Sequence, residues 1–134
     1  MSTMTLEEGL KVLNAALAYA RSMGVTVAVA VVDARGDLVT SARMDGSLWW
    51  WIESSRAKAM ATVTFGGVPS GQLIGRSTRP VAQMLVYMHD GRLAAQQGAV
   101  PIKRGGQLIG SVGTAGGTSL QDEKISAAGA VTIS

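Results

Sequence analysis

His89 is the only histidine in the chain. An imidazole in the run Met88-His89-Asp90-Gly91 can ligate a haem iron or act as a general base, or it can be a solvated turn residue. One histidine does not make a zinc site or a two-histidine, one-carboxylate iron site. Arg43 and Asp45 flank Met44, and strand alternation places them on one face. Lys58 follows on the next predicted helix. The planar fork of Arg43 and the point charge of Lys58 suit a carboxylate or a haem propionate. The alternative is an Arg43–Asp45 pair, or a Lys58–carboxylate pair, that fixes a loop. Asp122 and Glu123 open the last predicted helix, where the helix dipole alone favours carboxylates. They are also the candidate general acid and base, facing the stretch from Thr114 to Gly117. Amides in that stretch, near a helix N-terminus, suit an anion, so Thr114 joins the candidate ligand-binding residues.

Trp49, Trp50 and Trp51 hold all the tryptophan of the sequence. Successive helical residues point about 100° apart, so one face cannot carry all three rings. At least one must meet a partner subunit or line a pocket, and Trp50 is the candidate to stack on a flat ligand. Ser54 and Ser55 lack a nucleophile elbow, and no phosphate-binding glycine loop is present.

The elements that must position these residues are readable in order. Thr5 and Glu8 have the spacing of a capping box. Leu6, Leu10, Leu13, Leu17 and Ala20 then recur at helical period, and Gly24 is the expected stop. This predicts a helix from about Leu6 to Met23. Val25 to Val32 is β-branched and apolar, the pattern of a strand covered on both faces. A turn at Asp33–Asp37 returns the chain as a strand from Leu38 to Met44. Ser47 to Thr64 reads as a helix with Ser47 as its cap. A short helix from Ser70, and another from Pro80 to His89, follow. Asp90 to Gln97 has no clear assignment. Two strands, Ala99–Ile102 and Leu108–Ala115, flank the turn Arg104-Gly105-Gly106-Gln107. Gly110 and Gly113 point to close backbone approach. Ser119 to Ala130 is the last helix. Two hairpins imply an antiparallel sheet of an α+β fold, with helices packed on one face.

The length, 134 residues, fits a single domain over 1–134. Charged residues make up 16% against 47% hydrophobic, which excludes disorder and suggests that a homo-oligomer covers some apolar surface. The net charge of +3 is spread along the chain without interleaved aromatics, which argues against nucleic-acid binding. The absence of cysteine excludes disulfides, thiolate metal sites and a cysteine nucleophile. Met1 to Glu8 is polar and acidic, unlike a signal peptide, and the apolar run Val25–Val32 is too short for a bilayer. The expectation is a cytoplasmic protein with no membrane partner.

Three segments occur together in a known family. One is Val29-Ala30-Val31-Val32-Asp33-Ala34-Arg35-Gly36-Asp37-Leu38-Val39, followed by Ala42-Arg43-Met44-Asp45-Gly46. Another is Arg56-Ala57-Lys58-Ala59 leading to Phe65. The last begins at Val100-Pro101-Ile102, continues from Gly106 to Gly113, and ends with Gln121-Asp122-Glu123 and Ala127-Ala128-Gly129. The chain resembles the GlcG/HbpS family, also met as the C-terminal domain of PduO-type proteins. The likeness runs from about Thr5 to Gly129. It implies a profilin-like fold with a five-stranded antiparallel sheet flanked by helices, in dimers or larger assemblies. It also implies a protein that binds a small ligand, with haem as the possible cofactor and His89 as its possible ligand here. Some relatives carry a haem-ligating histidine on the first helix, whereas the stretch from about Asn14 to Tyr19 has none. Relatives usually have small or aliphatic residues where this chain has its three tryptophans. The alternative function is a small cofactor-independent catabolic enzyme acting on a hydroxy acid or an aromatic acid. Arg43 and Lys58 would then bind the carboxylate, and Asp122 or Glu123 would move a proton.

Overall fold

The computed structural model describes residues 3–134. Met1 and Ser2, where the N-terminal polar stretch begins, lie outside them. The first helix, α1, spans Leu6–Ser22. Its capping box forms as expected: the Thr5 hydroxyl accepts from the Glu8 amide at 3.1 Å, and the Glu8 carboxylate accepts from the Thr5 amide at 3.0 Å. Gly24 ends it in the left-handed region, with φ of +69°. The buried stripe is Gly9, Val12, Leu13, Ala16, Leu17 and Ala20. Leu6 and Leu10, expected on that stripe, are exposed. The helix is rotated so that Gly9 faces the sheet, where a Cβ would come within 2.6 Å of Val39 Cγ1.

Four strands follow the two hairpins: β1 Ala28–Asp33, β2 Leu38–Arg43, β3 Ala99–Arg104 and β4 Gln107–Ala115. They form one antiparallel sheet in the order β2-β1-β4-β3. The sheet has four strands among the described residues, not the five that the family resemblance implies. The unassigned stretch Asp90–Gln97 adds no strand. Leu93 is buried there, and Ala94 gives its amide to the Ala57 carbonyl instead of to a strand. β1 also begins later than Val25. The Val25 amide is taken by the end of α1, and the Val27 carbonyl accepts from Met44 and from the Ser47 hydroxyl.

That last bond corrects a second expectation. Ser47 does not cap the following helix, because its buried hydroxyl faces β1. Helix α2 starts at Trp51 and runs to Thr64, with Trp50 at the cap position and no side-chain capping bond. Helices also do not share one face of the sheet. Val27, Val29 and Val31 pack with Val12, Leu13, Ala16, Leu17 and Ile125, on the side of α1 and the last helix, α4 (Ser119–Ala130). Val32 packs with Ala59 and Val63 of α2 on the other side. β1 alternates between these layers, which is why every residue from Ala28 to Val32 is buried. On the α2 side the strands carry small residues. Ala30 pairs with Gly113 of β4, and a Cβ on Gly113 would lie 2.1 Å from the Ser55 carbonyl oxygen. The expected close approach at Gly113 is thus the seat of α2. Gly110 is equally tight, with a built Cβ 2.3 Å from the Val32 carbonyl oxygen.

A 3-10 helix, Ser70–Arg76, and helix α3, Pro80–Met88, lie between α2 and β3. Pro80 occupies the first turn, where its missing amide hydrogen costs nothing. Leu85 and Val86 hold α3 against a small cluster of Ala61, Leu73 and Leu93.

Candidate functional site

Lys58 and Asp122 meet in the interior between α2 and the start of α4. Their side chains are 10% and 4% exposed, and Lys58 Nζ lies 3.3 Å from Asp122 Oδ2. The same ammonium donates to the Thr114 carbonyl at 2.9 Å. The other oxygen of Asp122 accepts from the Gly117 amide at 2.8 Å. Burial pushes the Asp122 carboxyl above its ordinary value of 3.8, and the Lys58 charge and the Gly117 amide pull it back only in part. The Thr114 hydroxyl shares a 2.8 Å bond with Ser126, whose hydroxyl also reaches the Gly98 carbonyl at 2.7 Å. Gly98 has φ of +144°, and a Cβ there would sit 2.9 Å from Lys58 Nζ. The cradle around the ammonium therefore requires glycine.

This cluster joins three of the residues singled out in the sequence: Lys58, Thr114 and Asp122. Its donors and acceptors answer one another. Lys58 is thus the structural alternative, paired to a carboxylate of its own chain, and it does not join Arg43 in a clamp. Arg43 lies elsewhere and gives Nη1 to the Ser47 carbonyl at 2.7 Å. Arg43 and Asp45 line an open cleft of about 350 Å³ with Leu17, Arg21 and Met44. Glu123, next to Asp122, is half-buried and accepts from Gln97 Nε2 at 3.2 Å. Trp50 is 47% exposed and meets Trp51 edge-on, with centroids 6.3 Å apart. Trp51 packs over Gly116, and Trp49 is 70% exposed. Trp49 and Trp50 lie in the turn before α2, so the helical spacing expected of the three rings applies to none of their pairs.

His89 ends α3. Its Nδ1 lies 2.7 Å from the Leu85 carbonyl oxygen. A carbonyl only accepts, so Nδ1 carries the proton, and in the neutral ring Nε2 keeps a free lone pair. The rest of α3 is unusually apolar on its outer side. Val81, Met84, Tyr87 and Met88 are each more than half exposed. Two clefts lie along it, of about 360 Å³ beside Met84 and Met88 and about 540 Å³ beside Val86 and Asp90. Asp90 and Gly91 of the second also line a third, of about 400 Å³, with Glu53, Arg56 and Arg92. Arg56 and Arg92 were legible as cations but gave no sign of sharing a cleft, because α3 and its irregular return bring them together.

No group of three or more potential metal-ligating side chains occurs among the described residues. No helix among them is long and apolar enough to cross a membrane.

A four-stranded antiparallel sheet between two helical layers, with a buried Lys–Asp pair and an exposed apolar helix, defines a small α+β class. The chain belongs to the HbpS-like family, whose model, described as haem degrading protein HbpS-like, matches residues 4–131. HbpS of Streptomyces reticuli, solved as a double glutamate-to-aspartate mutant, is 28% identical. It superposes with a TM-score of 0.85 over 100% of this chain and 89% of its own. The PduOC:heme complex is 25% identical, with a TM-score of 0.84 over 98% and 96% of the two chains. The Klebsiella pneumoniae protein ORFY shares the fold at 23% identity, with a TM-score of 0.88 over 98% and 90%. No curated protein matches the sequence significantly.

Proposed function

We propose that this protein binds haem on the outer surface of α3, where His89 would hold its iron. The observation that carries the reading is the state of His89: Nδ1 is held by the Leu85 carbonyl, which leaves Nε2 as the donor atom at the end of an apolar helix. A ring nitrogen oriented by a backbone carbonyl is a common arrangement for a metal-bound histidine. Met84, Tyr87 and Met88 offer the exposed apolar and aromatic surface that a flat macrocycle needs. Membership of a haem-related family, and the likeness to a haem complex, support the same ligand. Bound haem would supply a redox-active iron. The chain's own residues orient the ligand atom and keep water from one face of the ring. Exposed apolar side chains away from α3, among them Leu48, Trp49, Leu120 and Val131, support a homo-oligomer, which sedimentation of the purified protein tests.

The test is a titration of the apo-protein with haemin, followed by absorbance, with His89→Ala in parallel. The expected result is a saturable, red-shifted Soret band that the variant loses or shifts. A spectrum that stays that of free haemin overturns the haem reading. A wild-type band that persists unchanged in the variant removes His89 from it.

A further inference from the structure

Arg56 stands on α2, and its Nε is buried without a hydrogen-bond partner among the described residues. A buried guanidinium nitrogen left unpaired is costly, so its retention calls for an acceptor. Arg56 lines the cleft of about 400 Å³ with Arg92, Glu53, Asp90 and Gly91. Neither arginine is in an ion pair with either carboxylate among the described residues, although all four share the cleft. Two cations thus face one space with their forks free. The acids beside them keep the cleft near neutral overall, so it does not concentrate multivalent anions by field alone. A singly charged group that guanidinium forks grip directly is what it suits.

A second observation concerns Asp90. It is the only non-glycine residue with positive φ, at +53°, among the described residues. It ends α3 where glycine or asparagine would be the ordinary choice. Gly91 continues the turn at +76°, and Arg92 follows from it. This turn sets Arg92 in the same cleft as Arg56, and its residues Asp90 and Gly91 also line the cleft on α3.

We propose that Arg56 and Arg92 form a carboxylate-binding site at the foot of α3. The carboxylate has two possible sources, a propionate of haem or a free small organic acid. The first rests on the haem reading above, and the second does not.

The experiment has two arms. In the first, apo-protein is titrated with propionate and benzoate, and the Arg Nε–H resonances are followed by NMR. The expected result is a saturable shift of the Arg56 signal that Arg92→Gln weakens, and a shift of the Arg92 signal that Arg56→Gln abolishes. In the second, haemin is compared with its dimethyl ester, in which both carboxylates are blocked. Haemin is expected to bind about tenfold or more tightly than the ester to wild type, and equally with it to the Arg56→Gln, Arg92→Gln double variant. Response in the first arm alone assigns the site to free acids, and response in the second assigns it to the propionates. Failure of haemin to bind at all, with propionate still shifting Arg56, defeats the haem reading and leaves the site standing. The proposal is overturned if neither acid shifts Arg56 and wild type shows no preference for haemin over the ester that the double variant loses. Circular dichroism of each variant checks that the fold is kept.

Discussion

Arg56 and Lys58 stand two places apart on one helix, and their environments are opposite. About 200° of helical rotation separates them. Lys58 points into the interior at the end of β4, where Thr114 and Asp122 answer it. Arg56 points toward α3, where an atom of its guanidinium is buried and unanswered. The inner region is closed, with its charges paired and its glycines fixed by contact. The outer region is held by a small cluster and leaves apolar side chains in solvent. The difference separates what makes the fold from what is available to a ligand. A buried pair that already satisfies itself is weak evidence for function, however catalytic its residue types look.

The comparison breaks most decisively at Lys58. Lys58→Ala leaves Asp122 buried without its counter-charge and is expected to cost about 3–5 kcal/mol in urea unfolding. Lys58→Met with Asp122→Leu should recover most of that loss. A double variant as unstable as the single one would show that the pair is not the source.

Next comes Gly113. An alanine there places a methyl group against the α2 backbone and is expected to cost about 1–3 kcal/mol, read as a lower urea midpoint. An unchanged midpoint would mean that α2 can lift from the sheet without loss.

The pH dependence is a smaller effect and carries a sign. Asp122 has its carboxyl raised in the fold, first by burial, so the folded state takes its proton before the unfolded one. Its contribution favours folding below the ordinary value of 3.8 and is lost as pH rises through the folded value above it. Glu8 is held below its ordinary value of 4.5, first by its bond from the Thr5 amide and then by Arg104, and acts in the opposite sense. Its contribution is present above 4.5 and is lost as pH falls through the folded value. Stability curves of Asp122→Asn and Glu8→Gln should therefore depart from wild type with opposite slopes in acid. Parallel slopes would contradict the assignment.

The smallest effects on stability belong to the outer region. Met84→Ser and Tyr87→Ser are expected to change the apo-protein's stability by less than about 0.5 kcal/mol, because these side chains already face water. The same substitutions should weaken haemin binding measurably. A large loss of apo stability would instead make the α3 surface part of the fold or of an oligomer interface.

The order of helices and hairpins was legible in the sequence because capping, β-branching and glycine turns act locally. Thr5 with Glu8, Gly24 and the pair Gly105-Gly106 each did what its chemistry predicts. The second layer of helices was hidden. The buried stripe of α2 contains Ser55, Lys58, Ala59 and Thr62, which do not look like a core face. Its depth comes from Ala30 and Gly113 on the strands, a contact across the chain that no local pattern records. The helix dipole alone accounts for an acid at Asp122, so nothing local points to its partner, which lies 64 residues away. His89 was visible as a residue type. The bond that fixes its tautomer required the end of α3 to be known.

The central seam of the sheet carries a consequence for how the chain reaches this structure. β1 pairs with β2, and β3 with β4, through neighbours in sequence, but the bond line between them sets Ala28 opposite Ala115. Each hairpin can form early, whereas the seam must close the long stretch between Asp33 and Gly110 into one loop before it yields any contact. Ala30 and Gly113 meet on that line, and α2 can settle only once they do. Substitutions there should slow refolding, whereas those on α3 should leave the refolding rate alone and act, if at all, on unfolding.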